Sequence, residues 1–167
     1  MVELGDHIDL LTGFPFKSDA YTDGDDSIRL VRGDNIVQGR LRWEGVKRWP
    51  SRDLGELQRY LLQPGDVVLA MDRPWIDAGL KYAQIREADA PSLLVQRVAR
   101  LRAKEDLDQS YLFYLIGSHA FTAHVLSIQT GTAVPHISGR QIAEFKFRLP
   151  PLSEQRAIAG VLGSLDD

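Results

Sequence analysis

The sequence has no cysteine in 167 residues, which excludes disulfides, thiolate metal sites and cysteine nucleophiles. It has no apolar run near the roughly 20 residues that a membrane-spanning helix needs. Glu3 and Asp6 put charge where a secretory signal would be apolar. From these absences we expect a soluble, cytoplasmic protein with no membrane attachment. Positive charge is not in excess either, since 20 Lys and Arg face 23 Asp and Glu for a net charge of -3. A general basic coat for nucleic acid is thereby excluded, but a single basic face is not. Walker-type phosphate loops, glycine-rich cofactor loops, internal repeats and low-complexity tracts are all missing from the sequence.

What is present begins with an uneven distribution of charge. Between Arg29 and Arg48 there are six bases (Arg29, Arg32, Arg40, Arg42, Lys47, Arg48) against Asp34 and Glu44, whereas Asp19 to Asp26 holds four Asp and no base. One basic surface on an otherwise acidic molecule is the consequence. Strand-type composition marks Ile28 to Val31, Val67 to Met71, Leu93 to Leu101 and Phe145 to Leu149. In the last of these, Phe145, Phe147 and Leu149 alternate with Lys146 and Arg148, the pattern of a half-buried strand. Pro64-Gly65-Asp66 reads as a turn leading into a central strand. Leu112, Leu115, Ile116, Ala120 and Ala123 form a helical stripe with Asp108 as N-cap and a stop near Gly131, and a shorter helix covers Gly139 to Ala143. The length suits one domain, and the pattern predicts α+β architecture with a curved, mostly antiparallel sheet flanked by helices.

The chain closes on Phe147-Arg148-Leu149-Pro150-Pro151-Leu152-Ser153-Glu154-Gln155-Arg156-Ala157-Ile158-Ala159, a strand, a rigid turn and a helix start. Ser153 suits the N-cap and Glu154 the positive end of the helix dipole. Ile158, Val161, Leu162 and Leu165 then fall at i, i+3, i+4 and i+7, an apolar seam that could dock on its own domain or meet a partner.

Leu149 to Gln155 followed by Ile158-Ala159 resembles the end of a target-recognition domain in the DNA specificity subunit of type I restriction–modification systems. There a Pro-Pro-x-x-Glu-Gln segment leads into a long helix. Upstream blocks extend the resemblance in the same order: Gly13-Phe14-Pro15-Phe16-Lys17-Ser18 with Tyr21, Ile28 to Ile36 ending in Asn35-Ile36, Pro64-Gly65-Asp66-Val67-Val68-Leu69, and Thr130 to Ile137. The resemblance implies a target-recognition domain over residues 1–151 and the start of a spacer or dimerisation helix over 152–167. It implies double-stranded DNA, methyltransferase (M) subunits and restriction (R) subunits as partners, and a homodimer through the helix is a further option. Specificity subunits of this family usually carry two such domains, so we expect either a piece of a longer subunit or a natural half-size one, and the short helix favours the first.

Two segments offer DNA contacts from their residues alone. In Arg40-Leu41-Arg42-Trp43 a strand would place Arg40 and Arg42 on one face and Leu41 and Trp43 on the other, and with Arg32, Lys47 and Arg48 the cluster suits phosphate contact. The bland alternative is a solvated edge with Trp43 in the core. In Met71 to Lys81, a proline-held loop after a strand carries Arg73, Trp75 and Lys81. From there Arg73 could reach guanine bidentately; the alternative is an Arg73–Asp77 surface pair with Trp75 packed on the sheet. Thr130, Thr132 and His136 lie in a loop rich in hydroxyls whose bland role is a helix stop, and the matching block implies DNA contact. Lys17 and Asn35 complete the set, Asn35 as an adenine reader or a turn cap.

Enzymatic readings are weaker. Leu149-Pro150-Pro151-Leu152 superficially resembles an amino-methyltransferase motif, but leucine stands where that motif needs a polar side chain and an aromatic ring. A metal-dependent nuclease could use Asp72 with Glu144 and Lys146, a poor match. His119 and His124 sit on different helix faces and His7 and His136 lack sequence-near partners, so no metal site or cofactor is expected. The reading is a non-catalytic DNA-recognition domain, with a half-size assembly module as the alternative.

Overall fold

The apolar run after Pro64-Gly65-Asp66 forms the strand around which the rest is layered. In the computed structural model, which describes residues 1–52, 54–131 and 133–166, Val67–Ala70 is wholly buried. Val67 and Leu69 face one core while Val68 and Ala70 face another. Side chains alternate across a strand, so a strand apolar at every position needs cover on both faces.

In chain order the strands are β1 (Val2–Glu3), β2 (Ile8–Thr12), β3 (Ser27–Val31), β4 (Gln38–Gly39), β5 (Arg48–Pro50), β6 (Leu61–Leu62), β7 (Val67–Ala70), β8 (Trp75–Ile76), β9 (Gly79–Leu80), β10 (Tyr82–Gln84), β11 (Ser92–Leu94), β12 (Val98–Ala103) and β13 (Lys146–Phe147). The helices are α1 (Gln109–Ile116), α2 (His119–Ile128), α3 (Gly139–Ala143) and α4 (Leu152–Asp166). One sheet has the order β2-β12-β7-β10-β4 and a second β5-β3-β11-β6, with β1-β13 and β8-β9 as short ribbons. Among the strands of the described residues only β4–β10 and β3–β11 pair in parallel, and an isolated Phe14–Val95 bridge is parallel as well. The architecture is α+β and mostly antiparallel, but built on two principal sheets instead of one curved sheet.

The layers follow from the same alternation. Helices α1, α2 and α3 cover the outer face of the first sheet, with Leu112, Ile116, Phe121, Val125 and Ile142 in its core. Val31, Leu62 and Leu94 of the second sheet meet Val68, Ala70 and Val98 of the first. On the far side of the second sheet, Leu30 and Leu93 pack with Phe16, Ile28 and Val95 under Phe14, Tyr21 and Trp49. Gly13 starts this aromatic cap, where a Cβ would collide with the carbonyl of Val95.

Three sequence expectations change. The run Leu93 to Leu101 is two strands in different sheets, separated at Val95–Arg97, where Arg97 has φ 65°. The helical stripe is likewise two helices. Asp108 caps the first by accepting from the Tyr111 N–H at 2.9 Å, but the chain bends by 56° at Gly117 and Ser118, and Ser118 caps the second through the Phe121 N–H. The tyrosine ring of β10 occupies the space a Gly117 side chain would need. Finally, Phe145 to Leu149 pairs only over Lys146–Phe147, with β1, although Phe145 and Phe147 are buried and Lys146 and Arg148 exposed as the alternation requires.

Helix α4 begins two residues earlier than a Ser153 N-cap would place it, and the Pro151 carbonyl, not the Ser153 hydroxyl, accepts its first bonds, from Glu154 and Gln155 N–H. It packs on α1 through Ala159 and the fully buried Gln155. Gln155 Nε2 donates to Asp106 O and Pro150 O, and its Oε1 accepts from Asp108 N–H. The apolar seam points elsewhere: Ile158 is 37%, Val161 62% and Leu165 75% exposed, and Leu162 is half-buried. No single helix among the described residues is long and apolar enough to cross a membrane.

Candidate nucleic-acid interface

Beyond the end of β7, three loop segments continue the ladder. The Met71 N–H donates to Arg97 O at 2.9 Å and the Ile137 N–H to Met71 O at 2.9 Å, while the Arg73 N–H donates to Pro135 O at 2.7 Å. Thr130 and His136 exchange a further pair of backbone bonds. The loop after β7 and the loop after α2 are therefore one stitched surface. Arg73 (φ 47°) and Arg97 (φ 65°) both sit in the left-handed region, which costs about 1–3 kcal/mol for a non-glycine residue and persists only where surrounding contacts dictate it. For Arg97 the contact is Asp72, whose Oδ1 accepts from Nε at 2.9 Å.

These segments wall a cleft of about 430 Å³ lined by Phe16, Tyr21, Arg32, Asp34, Asp72, Arg73, Lys81, Gln96, Arg97 and Val134, among others. A second cleft of about 420 Å³ shares Tyr21 and Arg32 with it and adds Lys47 and Arg48. Six cations (Lys47, Arg48, Arg32, Lys81, Arg73, Arg97) thus line one continuous track. Two of the acids along it are partnered by arginine: Asp34 lies 3.6 Å from Arg32 and Asp72 2.8 Å from Arg97. Lys81 is half-buried, and its amine has no hydrogen-bond or ion-pair partner among the described residues. Burial pushes it below the ordinary lysine value. Asp34 and Asp72 oppose that shift, and Arg73 and Arg42 add to it. A desolvated cation facing an open cleft lacks only an acceptor.

The residues expected to contact DNA fall into three groups. Arg32, Lys47, Arg48, Arg73 and Lys81 line the track. Lys17, Arg40 and Arg42 are exposed nearby in sequence but line neither cleft. The expected strand over Arg40 to Trp43 is reduced to an isolated Ile36–Leu41 bridge; Arg42 bonds Asp34 O through Nε, Leu41 is buried beside it and Trp43 is half-buried. Asn35 is corrected: it is 2% exposed, its Oδ1 accepts from Arg32 N–H and its Nδ2 donates to Arg42 O. Buried and bonded to backbone at both ends of its amide, it locks a turn and is not presented to a base. Trp75 packs against the main core beside Leu80, so its ring is a foot for the β8–β9 ribbon. The alternative Arg73–Asp77 pair is not formed among the described residues, and it is Asp72 that pairs, with Arg97.

His136 and Thr130 face each other, with His136 Nε2 3.1 Å from the Thr130 hydroxyl and Nδ1 3.2 Å from Val134 O. They brace their own loop. Thr132 lies outside the described residues. His7 also has a partner that sequence distance concealed, Asp106 at 2.8 Å, and His124 bonds Gln141 O. Gln96 and Arg97 were missed. Their signal was a polar pair inside the apolar run Leu93 to Leu101, which marks the strand break. Of the nuclease set, Asp72 pairs with Arg97 and Glu144 with Arg140. Among the described residues no group of three His, Cys, Asp or Glu could hold a metal.

Residues 2–167 match the family model for the type I restriction modification DNA specificity domain. The chain belongs to this family. It is 33% identical over 168 residues to the type I restriction enzyme MjaVIII specificity subunit of Methanocaldococcus jannaschii, covering 100% of this chain and 39% of that one. It is 36% identical over 165 residues to the EcoAI specificity subunit of Escherichia coli, covering 97% and 27%. The chain thus spans under two fifths of the length of these relatives. Among solved structures, a type I R-M system captured in complex assembly and conformational transition superposes with a TM-score of 0.72 at 20% identity, covering 99% of this chain and 37% of that one. The HsdS subunit from Thermoanaerobacter tengcongensis gives 0.66 at 20% identity, covering 99% and 36%. At that identity the likeness shows the fold, which is that of the specificity-domain family.

Proposed function

We propose that this chain is the DNA-reading unit of a type I restriction–modification specificity subunit, acting in the cytoplasm. Residues 1–151 read one part of a split duplex target, and 152–167 begin the spacer that connects to the rest of the assembly. The domain performs no chemistry itself and directs M and R partner subunits that do. One observation carries the reading: a protein with net charge -3 lines a single track with six Lys and Arg. Such a track supplies phosphate contact and salt-dependent affinity, and the stitched loops at its end offer Arg73 and Lys81 to base edges.

The test begins by selecting a preferred duplex from a random library. Arg73→Ala then lowers affinity for the preferred duplex by about 1–3 kcal/mol and leaves scrambled DNA nearly unaffected. Lys47→Ala and Arg48→Ala weaken binding to every duplex and each reduces the salt slope by about one. Equal losses on both duplexes for Arg73→Ala would refute its role in reading bases.

The exposed seam of α4 favours one addition. Ile158, Val161 and Leu165 are apolar and uncovered while Gln155 and Ala159 on the same helix are buried. We infer that this face meets another helix, either within the full specificity subunit or in a homodimer. A half-size subunit devoted mainly to assembly would use the same face without the cationic track.

A further inference from the structure

Arg97 lines the cleft but is not free to follow a ligand. Its Nε and Nη2 converge on Asp72 Oδ1 at 2.9 and 2.8 Å, and Nη2 also reaches Ile137 O at 3.4 Å. One guanidinium therefore holds three segments: its own strand break, the loop after β7 and the loop after α2. The Asp72 and Arg97 side chains are 44% and 41% exposed, and ion pairs that open to water add little stability. What the pair fixes is direction. Arg73, the next residue after Asp72, is held in the left-handed region with its N–H on Pro135 O, so the orientation of its side chain follows from the alignment of these segments.

We propose that Arg97 is a positioning residue for sequence discrimination: with Asp72 it clamps the two cleft loops in one register, and the clamp sets the preference among DNA sequences. This rests on the reading of the cleft as a DNA face. Two simpler roles predict different outcomes. A plain phosphate contact by Arg97 would strengthen all duplexes alike and would need only its charge. An Asp72 that merely repelled DNA would, once removed, leave every duplex bound more tightly.

The experiment uses the whole chain with Arg97→Lys, Arg97→Gln and Asp72→Ala, and it has two arms. The first measures dissociation constants for the preferred and scrambled duplexes across a salt titration. Arg97→Lys keeps the charge but loses the planar fork, so the salt slope stays and the preference ratio falls about tenfold. Asp72→Ala lowers the same ratio although it removes a negative charge from the cleft. The second arm needs no DNA: amide exchange at Arg73 and Ile137 accelerates in all three variants while the core amides of β7 stay protected. An unchanged ratio in Arg97→Lys, or a loss confined to the salt slope in Arg97→Gln, overturns the proposal. Unchanged exchange at both amides overturns the clamp itself. If the unaltered chain shows no sequence preference, the DNA reading of the cleft and the discrimination claim fall together, and the exchange arm judges the clamp alone.

Discussion

Replacing Gln155 tests what holds the terminal helix to the domain. Its amide is fully buried and satisfies three backbone groups, Asp108 N–H at 2.7 Å, Asp106 O at 3.0 Å and Pro150 O at 2.8 Å. In Gln155→Ala the Pro150 carbonyl is left buried and unpaired, at about 1–3 kcal/mol, and the two part-buried bonds lose about 0.5–1.5 kcal/mol each. The total is about 2–6 kcal/mol, capped by the free energy at which α4 detaches without the rest unfolding. Urea unfolding reads the global part, and amide exchange along α4 reads the local part. A loss under about 1 kcal/mol by both measures would refute the account of Gln155 as the lock.

Gln155→Glu sharpens the same test because it nearly preserves shape. One carboxylate oxygen can still accept from Asp108 N–H, but the other faces two carbonyls, so the ionised form is disfavoured in the fold and the folded pKa rises above the usual value of about 4.3. Below that value both states are protonated and the deficit is smallest. It grows as pH rises through the unfolded pKa and levels off above the folded one. A deficit that shrinks toward neutral pH would show that the carbonyls do not face this side chain.

The remaining predictions concern charge and association. Burial lowers the Lys81 pKa in the fold, so the folded state releases its proton before the unfolded state does. Relative to Lys81→Met, the unaltered chain should gain stability as pH rises through the folded Lys81 pKa toward 10.5. Urea titrations of both at several alkaline pH values measure this, and a flat difference would contradict burial of the amine. For the α4 seam, sedimentation should show concentration-dependent self-association that Val161→Lys with Leu165→Glu abolishes. A chain that stays monomeric at every concentration would remove the homodimer and leave the seam to other segments of a longer subunit.

Much of the layering was legible because β7 is apolar at every position and the strand around Phe147 alternates, and each pattern admits few burial arrangements. The breaks were less legible. Arg97 and Gly117 interrupt runs whose composition continues on both sides, and each meets a neighbour distant in sequence: Asp72 accepts from Arg97, and the tyrosine ring of β10 fills the space a Gly117 side chain would need. The motif blocks proved informative in an unforeseen way. Asn35 locks a turn, Asp66 is 2% exposed and holds Arg102 at 2.6 Å, Gly13 admits the Val95 carbonyl, and Gln155 seats α4. Four of the residues that carried the family resemblance therefore fix backbone geometry and do not face a ligand. The cations of the cleft stand mostly between or beside those positions, on loops whose course the fixed points determine. That arrangement explains how the fold could be read from the blocks while the site could not. A buried polar residue has few acceptable partners and so leaves a sharp local pattern, whereas an arginine lining an open cleft is satisfied by water or by an acid brought near only in the fold, as Asp72 is to Arg97. Gln96-Arg97 was the exception that sequence could have exposed, since two polar residues inside an apolar run must either break the strand or face an opening. Here they do both.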